Sequence, residues 1–274
     1  MNLSVRVPCE EESMTDSKGR TPIFKASENN DLVRVQQMYT EGCKFNLPDI
    51  NGITPVYMAA VYGHSEMVEF LLSIGAEVDV AGGFYEFTPL NAAAYQGHLE
   101  TVRILLAHGA NMDKENNLGS TPFFSACQKG KLPVAELLHA RGCNWRLPNA
   151  FGSSPLWAAT LGGHYDIIQF LISLGSDINE ANDKGHGPLY IGALTGQLQI
   201  VEFLLSRGAD IDQRNINGQT PFYAACTRNH LPVAKLLYER DCDWQTADNG
   251  TSPLDKAISL RLEGVVAFLE SIGA

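Results

Sequence analysis

A proline recurs along this chain with a period near 33 residues, and that spacing restricts the fold more than any other feature. It stands at Pro22, Pro55, Pro89, Pro122, Pro155, Pro188, Pro221 and Pro253, at intervals of 33, 34, 33, 33, 33, 33 and 32 residues. Thr or Ser precedes it in seven copies, and Gly187 does so in the remaining one. A fixed period of this size marks a stack of small units, none of which can bury its apolar faces alone. In TPVYMAAVYGHSEMVEFLLSIGAEVD, Thr54 suits a helix N-cap, Pro55 the first turn and Gly63 a left-handed stop. Met67, Val68, Phe70, Leu71 and Leu72 then share one face of a second helix, and Gly75 ends it before an extended stretch. The unit reads as helix, turn, helix and hairpin loop, so the expected class is all-α.

The best-preserved copies resemble the ankyrin repeat, whose Gly, TPLH, AA, GH, LL and GAD signature is legible in GITPVYMAAVYGHSEMVEFLLSIGAEVD, FTPLNAAAYQGHLETVRILLAHGANMD and GPLYIGALTGQLQIVEFLLSRGADID. The resemblance spans most of residues 16–274 in eight copies and implies an ankyrin-repeat solenoid of helix-turn-helix units joined by β-hairpin loops. Inner helices and hairpin tips would line a concave face that binds protein. Residues 1–15 are expected to form a separate flexible segment. A longer period of 99 residues relates Cys127, Leu132, Pro133, Cys143 and Trp145 to Cys226, Leu231, Pro232, Cys242 and Trp244, the trace of a three-repeat duplication. The first and last copies carry more polar residues than the middle ones, among them Lys25, Glu28, Asp255, Lys256 and Arg261, and read as polar caps.

The repeat register accounts for residues that would otherwise suggest chemistry. His64, His98, His164 and His230 each fall nine residues after their proline, where an imidazole can bond the backbone at the turn between the helices. His108, His139 and His186 lie outside this ladder and read as surface residues. Cys43, Cys143 and Cys242 replace the Ala of a GA pair, and Cys127 and Cys226 replace an inner-helix Ala; reduced thiols are expected, with Cys9 the candidate reactive one. Trp145 and Trp244 share a position with Phe45, Val78, Met112, Ile178 and Ile211, which favours packing. No GxSxG, HExxH, GxxxxGK or GxGxxG pattern occurs, so the reading is of a protein that is not an enzyme and has no cofactor or metal.

A formal charge of −11, from 20 Lys and Arg against 31 Asp and Glu, argues against nucleic acid and leaves a basic or apolar protein surface as the expected partner. No window has the apolar length of a membrane helix, and MNLSVRVPCEEESMT lacks a signal-peptide core, so a cytoplasmic or nuclear monomer is expected, with a secreted effector as another possibility.

Positions that packing does not fix should vary between copies. Residues five, four and two before the proline are mostly polar in copies one, six and seven, but copies two and three have Ile50 and Ile53, then Phe84, Tyr85 and Phe87. Val61, Tyr62 and Tyr95 add apolar surface at the inner-helix ends, and Leu118 and Phe151 occupy equivalent tip positions in later copies. Such a cluster fits a protein-binding patch. The other reading is local repacking, because the extra residue and two glycines of VAGGFYEF permit a bulge that tucks Phe84 or Phe87 inward. Two residues after the proline, six of eight copies carry an aromatic side chain, which reads as a packing ladder with Trp157 the best candidate for contact. The resemblance also brings Asn179 as a substrate for asparaginyl hydroxylation, with Leu171 eight residues before it. The function so read is a non-catalytic adaptor or scaffold that binds a protein or peptide. Its alternative is a recruiting or regulatory subunit of an enzyme complex, including a microbial effector engaging host proteins.

Overall fold

A computed structural model describes residues 15–245 and 250–274. They fall in two compact units, Met1–Trp145 and Arg146–Ala274. The first holds α1 (Pro22–Glu28), α2 (Leu32–Thr40), α3 (Pro55–Tyr62), α4 (Ser65–Ser73), α5 (Pro89–Gln96), α6 (Leu99–Ala107), α7 (Pro122–Gln128) and α8 (Leu132–Ala140). The second holds α9 (Pro155–Gly162), α10 (Tyr165–Ser173), α11 (Pro188–Thr195), α12 (Leu198–Ser206), α13 (Pro221–Thr227), α14 (Leu231–Glu239), α15 (Pro253–Ser259) and α16 (Glu263–Ser271). Each unit is thus four helix pairs, and within each unit inner helix packs on inner helix, α1 to α7 and α9 to α15.

Every recurring proline opens an inner helix, where its missing N–H costs nothing. The residue before it supplies the cap: the hydroxyls of Thr21, Thr54, Thr88, Thr121, Ser154, Thr220 and Ser252 each accept the amide hydrogen three residues on. Gly187 caps α11 without a side-chain bond. Gly63, Gly97, Gly163 and Gly196 take the left-handed conformation that ends the inner helix. The turn that follows is tied to the preceding copy by the histidine ladder. Carbonyl oxygens only accept, so Nε2–H of His64, His98 and His230 donates to the carbonyls of Glu28, Val61 and Leu194 at 3.1, 2.9 and 3.1 Å.

Among the described residues, the loops that return to the next proline are tight turns rather than paired strands. Six residues before the proline, a side-chain oxygen of Asp16, Asp49, Asn116, Asn149, Asn182 or Asn215 accepts the amide hydrogens two and four residues on, which fixes the tip. Copy three has Gly83 there, and its longer tip is closed instead by an isolated antiparallel bridge between Gly82 and Phe87.

Most of the aromatic series two residues after the proline is core: Phe24, Phe124, Tyr190 and Tyr223 are buried. Asn91 sits in the same register and is also buried, its amide donating to the Ser120 carbonyl and its oxygen accepting from the Ser125 hydroxyl. Trp145 and Trp244 are half-buried and meet outer-helix rings edge-on, at His139 and Tyr238. The expectation for three histidines needs correction, because none is an idle surface residue. His108 bonds Glu69, His139 packs on Trp145, and His186 stacks flat on Tyr190 at 4.5 Å. The last copy exposes Asp255 and Lys256 and, beside them, Ile258 and Leu260.

The cysteines need a further correction. Cys127, Cys143, Cys226 and Cys242 are buried free thiols, but Cys43 is disulfide-bonded to a partner outside the described residues. The expectation of reduced thiols came from the repeat register and therefore fails at Cys43. Cys9 lies outside the described residues.

Candidate protein-interaction surface

The copy-three tip does not tuck its rings inward. Gly82 approaches the Gly52 carbonyl so closely that an added Cβ would lie 2.6 Å from its oxygen, and the Gly83 amide donates to the Asn51 carbonyl at 3.0 Å. From the other side, the Asn117 side chain donates to the Phe84 carbonyl at 2.8 Å and its amide to the Tyr85 carbonyl at 3.2 Å. Glu86 completes the turn in the left-handed region at φ 53°, which non-glycine residues seldom adopt. Backbone bonds to the copies on both sides thus hold the tip, while Phe84 stands 86% exposed at its apex. Tyr85 is exposed beside it.

The rings form a row. Phe84 meets Tyr85 edge-on at 5.1 Å, Tyr85 lies 5.9 Å from Phe87, and Phe87 lies 5.6 Å from Tyr95 on α5. Phe87 and Tyr95 are half-buried and form the floor, so the repacking reading holds for Phe87 in part and fails for Phe84. In copy two, Ile50 is 71% exposed at the adjacent tip, Tyr62 is exposed at the end of α3 and stacks on His64, and Ile53 and Val61 are half-buried. Leu118 is exposed on the copy-four tip. The first unit therefore carries the eight candidates of copies two and three together with Leu118, all on tips and inner-helix ends of neighbouring copies.

Phe151 and Trp157 belong to the second unit. Phe151 is exposed at its tip, whereas Trp157 is half-buried against Tyr190, Ile191 and Ala224, and its indole N–H is enclosed without a hydrogen-bond partner. Packing accounts for most of that tryptophan. Ile216, 71% exposed, was missed by sequence reasoning because Asn217 and Gln219 beside it made copy seven look polar. Its register was the available signal, since it occupies the tip place of Ile50 and Phe84. Asn179 is half-buried with its amide engaged: its oxygen accepts from the Asp210 amide at 2.8 Å and its carbonyl from the Gln213 side chain at 2.7 Å.

A cavity of about 230 Å³ lined by Phe45, Pro48, Pro55, Val56 and Val80 lies in the first unit. It is smaller than the roughly 300–1,000 Å³ of small-molecule sites and suits a single side chain. Among the described residues no cluster of His, Cys, Asp and Glu could hold a metal ion, and no helix is long and apolar enough to cross a membrane.

Family models for ankyrin repeats match residues 3–82, 79–149 and 123–215 in one form and residues 196–238 in another. The chain belongs to the ankyrin-repeat family. Its helix-pair stacks are the architecture of a general protein-protein interaction module, in a family that is typically non-catalytic, and the partners so indicated are proteins. A comparison with curated proteins finds no match.

Proposed function

We propose that this protein is a non-catalytic adaptor that grips a protein or peptide segment on the tips and inner-helix ends of copies two and three. The observation that carries this reading is Phe84, a large apolar side chain exposed at the apex of a turn that neighbouring copies hold still. Exposing it lowers solubility and contributes nothing to the core, whereas a fixed aromatic anchor loses little entropy on binding. Tyr85, Ile50 and Tyr62 enlarge the anchor to a patch, with Phe87 and Tyr95 as its floor. Phe151 and Ile216 give the second unit smaller apolar tips of its own. Asn179 stands as the candidate for hydroxylation, a step that would have to open its two hydrogen bonds.

Affinity capture from native lysate tests the proposal, with the wild-type chain beside Tyr62→Ala/Phe84→Ala/Tyr85→Ala/Tyr95→Ala after circular dichroism shows equal folding. Loss of the captured protein from the variant alone supports the patch. Capture of the same proteins by both chains rejects it. If the captured protein carries a catalytic subunit, the adaptor acts as the recruiting arm of an enzyme complex.

A further inference from the structure

The aromatic row ends on an ammonium group. Lys129, the residue that follows α7, places its Nζ 4.6 Å from the centroid of the Tyr95 ring and is otherwise exposed. Two residues on, the stem of Lys131 crosses Gly97 so closely that an added Cβ would lie 2.6 Å from its Cδ. In the register of Lys131 four of the other copies place a histidine, His64, His98, His164 and His230, and His98 crosses Gly63 in the same manner while bonding the Val61 carbonyl. Copy four thus replaces a backbone-bonded imidazole with a permanent cation. Among the described residues neither lysine side chain forms an ion pair or a hydrogen bond. Two uncompensated cations therefore flank the Tyr95 end of the row, although the chain as a whole is strongly acidic.

We infer that this corner takes a carboxylate, so that the segment bound by the patch carries apolar side chains on Phe84, Tyr85 and Phe87 followed by an Asp or Glu that reaches Lys129 and Lys131. The inference rests on the adaptor reading above and names the chemistry of its partner. Charge complementarity supports it: a carboxylate brought to the rim of an apolar patch pairs with cations that no internal carboxylate occupies, and it fixes the direction in which the segment lies. Tyr95 under Lys129 holds the ammonium by its ring face without neutralising it.

A phage-displayed library of random linear dodecapeptides, panned on the whole chain, tests this. The expected consensus joins aromatic or aliphatic residues to an Asp or Glu at one fixed spacing. The synthetic consensus peptide should lose about fivefold in affinity when that carboxylate is changed to the amide, as an exposed ion pair would. Lys129→Gln/Lys131→Gln should lose the same factor for the acidic peptide and nothing for the amide peptide. A consensus without a carboxylate, or a carboxylate effect that survives in the lysine variant, overturns the inference while the patch still binds. A library that yields no peptide dependent on Phe84 and Tyr85 overturns both this inference and the adaptor reading.

Discussion

Phe84 shows how much a single residue in a repeat can mean, because only copy five, with Phe151, also exposes a ring of that size at its tip. The cysteines and His186 show the opposite case, residues with reactive chemistry that the fold has silenced. Burial pushes the thiols of Cys143, Cys226 and Cys242 up to about 12, with nearby carboxylates adding to it at Cys143 and Cys242, and raises Cys127 well above its ordinary value. At pH 8 iodoacetamide should therefore leave all four thiols unmodified in the native protein and label all four in guanidinium, as counted by intact mass; rapid native labelling would contradict their place in the core. Burial, helped by the charge of Lys184, lowers the pKa of His186 below its ordinary 6.5. The folded state thus disfavours the imidazolium stacked on Tyr190, and the stabilising contribution is present above 6.5 and lost as pH falls through the lower folded value. An NMR titration should place the His186 inflection below 6.5, whereas an inflection at or above that value would refute the packing described. Phe24, Phe124, Tyr190 and Tyr223 needed only register to be placed in the core, and Asn91 is buried in the same register, but Ile216 was masked by its polar neighbours.

At the scale of the helix and the turn, the chain announces itself openly. Thr-Pro and Ser-Pro mark where each inner helix begins because the hydroxyl caps an orphan amide and the proline has no amide to lose. Thr88→Ala should lower stability by about 1 kcal/mol, read as a shift in urea midpoint without a change in slope; an unchanged midpoint would mean the cap bond to Asn91 contributes nothing. The copy-three tip was not legible in the same way. Its two glycines allow either an inward or an outward fold, and the choice falls to Glu86 adopting a left-handed φ and to Asn117 bonding the Phe84 carbonyl. Gly82→Ala forces a side chain into the Gly52 carbonyl and should cost about 1–3 kcal/mol, as measured by the same unfolding curve. A wild-type midpoint in that variant would show that the two tips are not in close contact.

For the molecule as a whole, the period of 33 residues determined the fold because each copy must stack on its neighbours. Eight helix pairs, four in each compact unit, follow from it. The partner does not follow, since packing specifies the core and leaves the tips to vary. Net charge was a poor guide even to local chemistry: a chain of charge −11 places two unpaired lysines beside the Tyr95 end of its aromatic row. The most direct test of that surface compares two residues of similar exposure. A photoreactive benzoylphenylalanine placed at Phe84, or at Val33, which is 76% exposed on α2, is irradiated in native lysate and the adducts are identified by mass spectrometry. The account predicts a discrete adduct from position 84 that is missing from position 33. Equal labelling from both positions, or no adduct from position 84, would contradict it.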